Sequence, residues 1–234
     1  MCYKAIMFDL DGTLLPINQD EFVKEYFKLL AKDTSSYLSF ENLYSSTFSG
    51  LEAMVKNDGT TLNKDIFWNV FEKKSGISSK VFEPICDNFY RSGFKKAKTL
   101  IHENPLAKKA IDIAYQKADK VILATNPVFP LIAQETRLNF IGLKTSDFDY
   151  VTSYENTSFA KPNSKYYLDI CEKFNCNPEE CLMIGNDEYE DMYASSVVGF
   201  DTYLVLGYEI LSKDHPYSGK KGGFKEMVEM LEGI

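Results

Sequence analysis

The stretch Ala5-Ile6-Met7-Phe8-Asp9-Leu10-Asp11-Gly12-Thr13-Leu14 sets the reading of the whole chain. A short apolar run delivers two aspartates, with Leu10 between them, into a glycine turn. The run reads as a buried strand over residues 4–9. Two negative charges crowded at the end of such a strand are costly unless something compensates them. A divalent cation and a reaction are the natural reasons for keeping them there.

Working outward, residues 16–98 read as helical, with no convincing buried strand. Aromatic and aliphatic residues recur there at helical spacing: Phe22, Tyr26, Phe27 and Leu30, then Phe67, Trp68 and Phe71, then Phe82, Ile85, Phe89 and Tyr90. Such faces must pack on one another, and Phe22, Tyr26, Tyr44 and Trp68 are candidates to face a substrate. Lys73-Lys74 and Lys95-Lys96 read as solvated helix surface. Asn57-Asp58-Gly59 has the composition of a turn. From about residue 105, helices predicted at 105–118, 128–139, 163–174 and 189–196 alternate with apolar runs at 120–124, 148–152, 180–184 and 202–205. That alternation implies a parallel sheet covered on both faces. The fold expected is α/β: a Rossmann-like three-layer core with a central parallel sheet, made of residues 1–15 and 100–234, plus an inserted all-helical cap over 16–99. An insertion leaving the carboxyl end of the first strand lies over the edge where open parallel sheets bind ligands, placed to exclude water.

Polar groups stand at the predicted carboxyl ends of three strands. The first carries Asp9 and Asp11, the second Thr125-Asn126, and a third Gly185-Asn186-Asp187 with Asp191 close behind; Lys161 precedes Pro162 in a loop. Each group alone could be a turn, a helix cap or a surface charge. Together they suit one chemistry. Clustered carboxylates repel one another unless a cation compensates them, and hard oxygen ligands in that number fit Mg²⁺, which also binds phosphate. A carboxylate beside it can attack phosphorus, a second can move protons, and Lys161, Thr125 and Asn126 can hold phosphoryl oxygens.

These residues resemble the haloacid dehalogenase-like hydrolase superfamily, most of whose members are phosphatases. The DxDGT motif stands as Asp9-Leu10-Asp11-Gly12-Thr13, the second motif falls on Thr125, the third on Lys161, and the acidic fourth on Gly185-Asn186-Asp187-Glu188-Tyr189-Glu190-Asp191. The resemblance implies Asp9 as nucleophile, Asp11 as general acid/base, and a Mg²⁺ site built from Asp9, the Asp11 carbonyl, Asn186, Asp187 and Asp191. It also implies that the helical cap contributes to specificity. Asn186 departs from the aspartate commoner at its position and adds no charge to the metal site. The second aspartate argues for phosphoryl transfer over halide displacement. The expected activity is Mg²⁺-dependent hydrolysis of a small phosphate monoester through an aspartyl phosphate. The alternatives are a phosphotransferase or phosphomutase using the same aspartate, and a non-catalytic phosphometabolite-binding protein.

The bulk properties agree. The chain has 234 residues, a formal charge of −8 and 44% hydrophobic residues, typical of a globular protein. Its acidity argues against nucleic acid or anionic membrane as partner, leaving a small phosphorylated metabolite as the expected partner and a monomer or homodimer as the expected state. No apolar run suits a membrane span or a secretory leader, which points to the cytoplasm. The five cysteines, Cys2, Cys86, Cys171, Cys176 and Cys181, form no CxxC and read as buried thiols of a reducing compartment.

Overall fold

A computed structural model describes residues 3–234; Cys2 lies outside the described residues. Strand β1 (Tyr3–Phe8) sits at the centre of a six-stranded sheet completed by β2 (Ala118–Leu123), β3 (Tyr150–Val151), β4 (Cys181–Gly185), β5 (Asp201–Val205) and β6 (Lys221–Gly222). The order is β3-β2-β1-β4-β5-β6, and every pairing is parallel. Register places Ala5 beside Lys120 on one side and Cys181 on the other. Alternation along β1 sends side chains to opposite faces. Ile6 and Phe8 enter one apolar cluster, Ala5 and Met7 the other. Both faces are thus buried, giving the three-layer α/β arrangement expected.

From residue 19 to 100 the chain carries helices and no strand: α1 (Gln19–Thr34), α2 (Phe40–Val55), α3 (Asn63–Ser75), α4 (Ser79–Arg91) and a 3-10 segment, Gly93–Leu100. Asn18 caps α1 by accepting from the Glu21 amide at 3.1 Å, and Ser39 caps α2 through the Asn42 amide at 3.2 Å; such caps satisfy donors that a helix start leaves unpaired. The Asn57–Gly59 turn forms, with the Gly59 amide donating to Asn57 Oδ1 at 3.1 Å. The aromatic faces meet as the spacing requires: Phe22, Phe71, Phe82 and Phe89 are buried together. Lys73, Lys74, Lys95 and Lys96 are exposed. The helical segment is tied to the rest of the chain through the start of α3, whose Asn63 and Lys64 amides donate to the Thr157 and Tyr154 carbonyls at 2.9 and 2.8 Å.

Helices α5 (Ala107–Lys117), α6 (Leu131–Phe140), α7 (Lys165–Phe174), α8 (Ala194–Ser196) and α9 (Phe224–Gly233) complete the layers. Several boundaries differ from the sequence reading. Helix α6 starts at Leu131, not 128, because Pro130 disfavours a helical residue before it and is itself extended, with ψ 156°; the Glu155 carboxylate then accepts from the Leu131 amide. Helix α7 starts at Lys165, after Asn163 Oδ1 accepts from its amide at 3.1 Å. The run 148–152 yields a strand only at Tyr150–Val151, on the sheet edge. The stretch 189–196 is a π-helical turn, Glu188–Tyr193, running into α8. Strand β6 and helix α9 were not anticipated. Among the described residues no helix is long and apolar enough to cross a membrane.

Candidate active site

Strand β1 ends where its neighbours end. The Ala124 amide donates to the Phe8 carbonyl at 2.8 Å and the Asp9 amide to the Ile184 carbonyl at 2.9 Å. Asp9 is therefore clamped between the carboxyl ends of β2 and β4. The chain then turns tightly, with the Thr13 and Leu15 amides both donating to the Leu10 carbonyl. Gly12 takes φ +82° in this turn, and a Cβ there would stand 2.2 Å from Asn186 Nδ2. Glycine is required on both grounds. Strand β4 closes against the turn in the same way: a Cβ at Gly185 would meet Asp191 Oδ2 at 2.2 Å.

Lys161 is the hinge of the electrostatics. Its side chain is 1% exposed, and Nζ donates to Asp9 Oδ1 at 2.9 Å and Asp191 Oδ1 at 2.5 Å. Burial alone would depress the ammonium, but Asp191 and Asp9 outweigh it and hold the group well above the ordinary lysine value. The other Asp191 oxygen accepts from the Asn186 and Asp187 amides at 3.0 Å each. Asp191 therefore orients Lys161 and the turn after β4, with both oxygens engaged. Burial pushes Asp9 up to about 8; Lys161 opposes the shift, and the charges of Asp191 and Asp11 add to it. The crowding inferred from sequence is thus real at Asp9.

The remaining expected residues converge on one pocket of about 100 Å³, walled by Asp9, Asp11, Thr125, Asn126, Asn186, Asp187 and Asp191. The Thr125 carbonyl is fixed by the Thr152 and Tyr166 hydroxyls at 2.7 and 2.9 Å. Asn126 Nδ2 donates to Glu190 Oε2 at 2.9 Å, while its buried Oδ1 has no partner. Asn186 Nδ2 donates to the Tyr208 carbonyl at 2.7 Å, and its Oδ1 accepts from the Thr13 hydroxyl at 3.2 Å. Asp187 Oδ1 caps the π-helical turn through the Tyr189 and Glu190 amides at 2.7 and 2.8 Å, leaving its second oxygen for the pocket.

The pocket fits a hard divalent cation on its own chemistry. Its donors are carboxylate and amide oxygens. Asp11 Oδ1 is buried without a partner, and burial raises Asp9, with the charges of Asp191 and Asp11 adding to the shift, a cost that a bound cation would relieve. Asp9, Asp11, Asn186 and Asp187 are the residues that could hold the ion, with Asp191 behind them.

Two residues here were given no role from sequence: one was overlooked, and the other stood only as a member of the acidic motif. Arg137, on α6, is fully buried and forms an ion pair with Asp11 Oδ2 and a hydrogen bond with Gln134 Oε1. Its guanidinium lies 4.5 Å from the centroid of the Phe129 ring, a favourable cation–π placement. The clue in the sequence is an arginine on the core-facing side of a short apolar helix. Glu190 is the second. Burial, followed by the charge of Asp187, pushes it up to about 7. Glu188, by contrast, is structural: its carboxylate accepts from the Ser212 and Tyr217 amides at 2.7 and 3.2 Å.

Residues 3–199 match the family model for haloacid dehalogenase-like hydrolases. The chain belongs to that family. Among curated relatives, PpaX of Clostridium perfringens, named as a pyrophosphatase, is 28% identical over 97% of this chain and 98% of its own length. The phosphoglycolate phosphatase of Nitrosospira multiformis is 25% identical over 88% of this chain and 84% of its own length. Among solved structures, the HAD-hydrolase YfnB of Bacillus subtilis, described as bound to magnesium, superposes with TM-score 0.60 at 17% identity, covering 99% of this chain and all of that one. This family member is thus a hydrolase whose curated relatives are named as phosphatases.

Proposed function

We propose that the chain hydrolyses a small phosphate monoester with Mg²⁺, through an aspartyl phosphate on Asp9. The observation that carries this reading is the placement of Asp9, clamped between two strand ends, in one pocket with Asp11, Thr125, Asn126 and Asn186, and bridged by Lys161 to Asp191.

In the first step a carboxylate oxygen of Asp9 attacks phosphorus, and the bond from phosphorus to the ester oxygen breaks. Asp11 gives its proton to the departing alkoxide. Water then attacks the phosphorus of the acyl phosphate, Asp11 takes a proton from that water, and the Asp9 carboxylate and inorganic phosphate are released. Lys161 and the Thr125 and Asn126 side chains hold the phosphoryl oxygens through both steps. Asp9, the Asp11 carbonyl, Asn186 and Asp187 would hold Mg²⁺, which supplies positive charge opposite the phosphoryl group. Asp191 keeps Lys161 and the turn after β4 in place. Helices from residues 16–99 act as a cap over a core made of 1–15 and 100–234. On this reading the substrate is a phosphorylated metabolite of the cytoplasm, and the protein works as a monomer or homodimer.

Phosphate release from a broad panel of phosphate monoesters tests the proposal. Turnover is expected with Mg²⁺, with loss on chelation and in Asp9→Asn. No release from any ester with Mg²⁺, or undiminished release by the Asn variant, would overturn it.

A further inference from the structure

We propose that the substrate's leaving group is an apolar, ring-bearing alcohol seated in the aromatic cavity between the helical segment and the sheet edge. The inference rests on the phosphatase reading of the site and names its substrate class.

Beside the carboxylate pocket lies a second cavity of about 210 Å³. Its walls include Phe22, Leu43, Trp68 and Phe71 from three of the inserted helices, with Phe129 and Tyr154 from the opposite side. Gln19, Val128 and Phe129 line both spaces, so the cavity adjoins the carboxylate pocket and shares a wall with it. A cavity of about 150 Å³ with similar walls suffices for a benzene ring. Most of the polar groups on these walls satisfy one another. The Tyr26 and Tyr90 hydroxyls pair at 2.8 Å, and Trp68 Nε1 donates to the Tyr154 hydroxyl at 3.3 Å. An occupant therefore has little hydrogen bonding to supply. Among the described residues, no Lys, Arg or His lines the space. A leaving group carrying a second phosphate or a carboxylate would bring an unpaired charge into apolar walls, at heavy cost. Arg137, the cation near Phe22 and Phe129, is already committed to Asp11.

The test compares kcat/KM, with Mg²⁺, for n-alkyl phosphates from methyl to hexyl, for phenyl phosphate and for phosphoglycolate. Each added methylene is expected to raise kcat/KM roughly fourfold. Phenyl phosphate should exceed phosphoglycolate by about 100-fold or more. A flat or falling series, or preference for phosphoglycolate, overturns the inference while leaving phosphatase activity standing. Absence of turnover on every ester would instead sink the phosphatase reading. Occupancy is then read from Trp68, the single tryptophan, during titration with benzyl alcohol. A saturable emission change supports an apolar-alcohol site, and an unchanged spectrum refutes it.

At the amino end of β4, where α7 leads back into the sheet, three thiols converge, and we infer that Cys171, Cys176 and Cys181 form a site for one soft d10 cation, Zn²⁺ or Cu⁺. Cys181 Sγ lies 3.9 Å from Cys171 Sγ and 3.5 Å from Cys176 Sγ, and all three sulfurs fall within 4.8 Å of one another. Sulfurs held about 2.3 Å from one ion stand just under about 4 Å apart, whereas a disulfide draws them to about 2.05 Å. Thiolate sulfur selects these ions over hard ones. Half-buried Cys176 gives the ion a way in. Each thiol that binds releases its proton to solvent.

Anaerobic titration of the reduced protein with Zn²⁺ and, separately, Cu⁺ tests this second site, read by metal content and the thiolate-to-metal absorption band. One tightly held ion per chain is expected, with loss in Cys176→Ser. Absence of both band and bound ion overturns it. So does loss of two hydrogens on mild oxidation without metal uptake, which would mark the thiols as a redox pair.

Discussion

Replacing Arg137 by Met removes one half of a buried ion pair while keeping most of the side chain's volume against Phe129. The guanidinium is wholly inaccessible, and the Asp11 side chain keeps 17% of its exposure. Breaking a buried pair from one side costs about 3–5 kcal/mol, because the remaining charge is stranded. Asp11 retains some water, so Arg137→Met should sit near the low end, about 3 kcal/mol. Asp11→Asn strands the less accessible guanidinium with Gln134 alone, and should cost at least as much. The double variant strands neither charge and should cost less than either single change, since an apolar replacement of a whole buried pair is often neutral. Urea unfolding at pH 7 in chelator gives the three values, provided the slope against denaturant stays constant. Additive costs, within about 0.5 kcal/mol, would refute the coupling. Activity supplies an independent check. Loss of the anchor should disorient the proton-transfer carboxylate and lower kcat by up to about 100-fold, with a smaller effect on KM. An unchanged kcat in Arg137→Met would show that the pair has no part in placing Asp11.

Other outcomes follow from the same charges. Lys161→Met leaves Asp9 and Asp191 facing each other without their shared cation, and should lower stability by about 3–5 kcal/mol and kcat by about 100-fold or more; stability within about 1 kcal/mol of wild type would contradict the buried bridge. Because Glu190 rises to about 7 on folding, its contribution to stability is full below the ordinary glutamate range and is lost as pH climbs through 7, a swing of about 3 kcal/mol. Metal-free Glu190→Gln should therefore show a shallower decline between pH 5 and 8 than wild type, measured as thermal midpoint against pH, while the parallel slope from Asp9 persists in both. Magnesium at about a hundredfold its Kd should raise stability by about 2.7 kcal/mol, and Asn186→Ala should narrow that gain; a midpoint indifferent to Mg²⁺ would remove Asn186 and its neighbours from any metal site.

Much of this arrangement was legible because local rules and global packing agree. β1 announced itself through an apolar run ending in charge, and its alternation into two apolar clusters is what a doubly covered strand must do. The residues at the strand ends were recoverable because a parallel sheet brings all its carboxyl ends to one edge. Arg137 was marked only by its place on the core-facing side of a short helix; its partner stands in a turn far away in the chain, so nothing local identifies the pair. Glu190 was obscured by neighbouring acids, of which Asp187 caps a turn and Glu188 braces a loop. Of the four residues expected to face a substrate, Phe22, Tyr26 and Trp68 line the cavity, whereas Tyr44 is exposed and lies tilted against Phe48 with ring centroids 4.4 Å apart. Strand β6 is two residues at an edge with no apolar signature. Helix α9 does carry the helical period, in Met227, Val228 and Leu231, but it lies beyond a long loop that ends the strand–helix rhythm.

The central position of β1 bears on how the chain is made. Ala5 finds its sheet neighbours only when Lys120 and Cys181 have been synthesised. Until then an apolar segment with two unsatisfied edges waits in a nascent chain. Pairings so distant in sequence slow folding and lengthen exposure to aggregation. The helical segment between them, rich in near-neighbour contacts, can form while β1 is still unpaired. Late acquisition of the sheet, with early helices as the resident structure, is the assembly order this topology favours. Pulse-labelled hydrogen exchange would register it as protection appearing in α2 and α3 before β1.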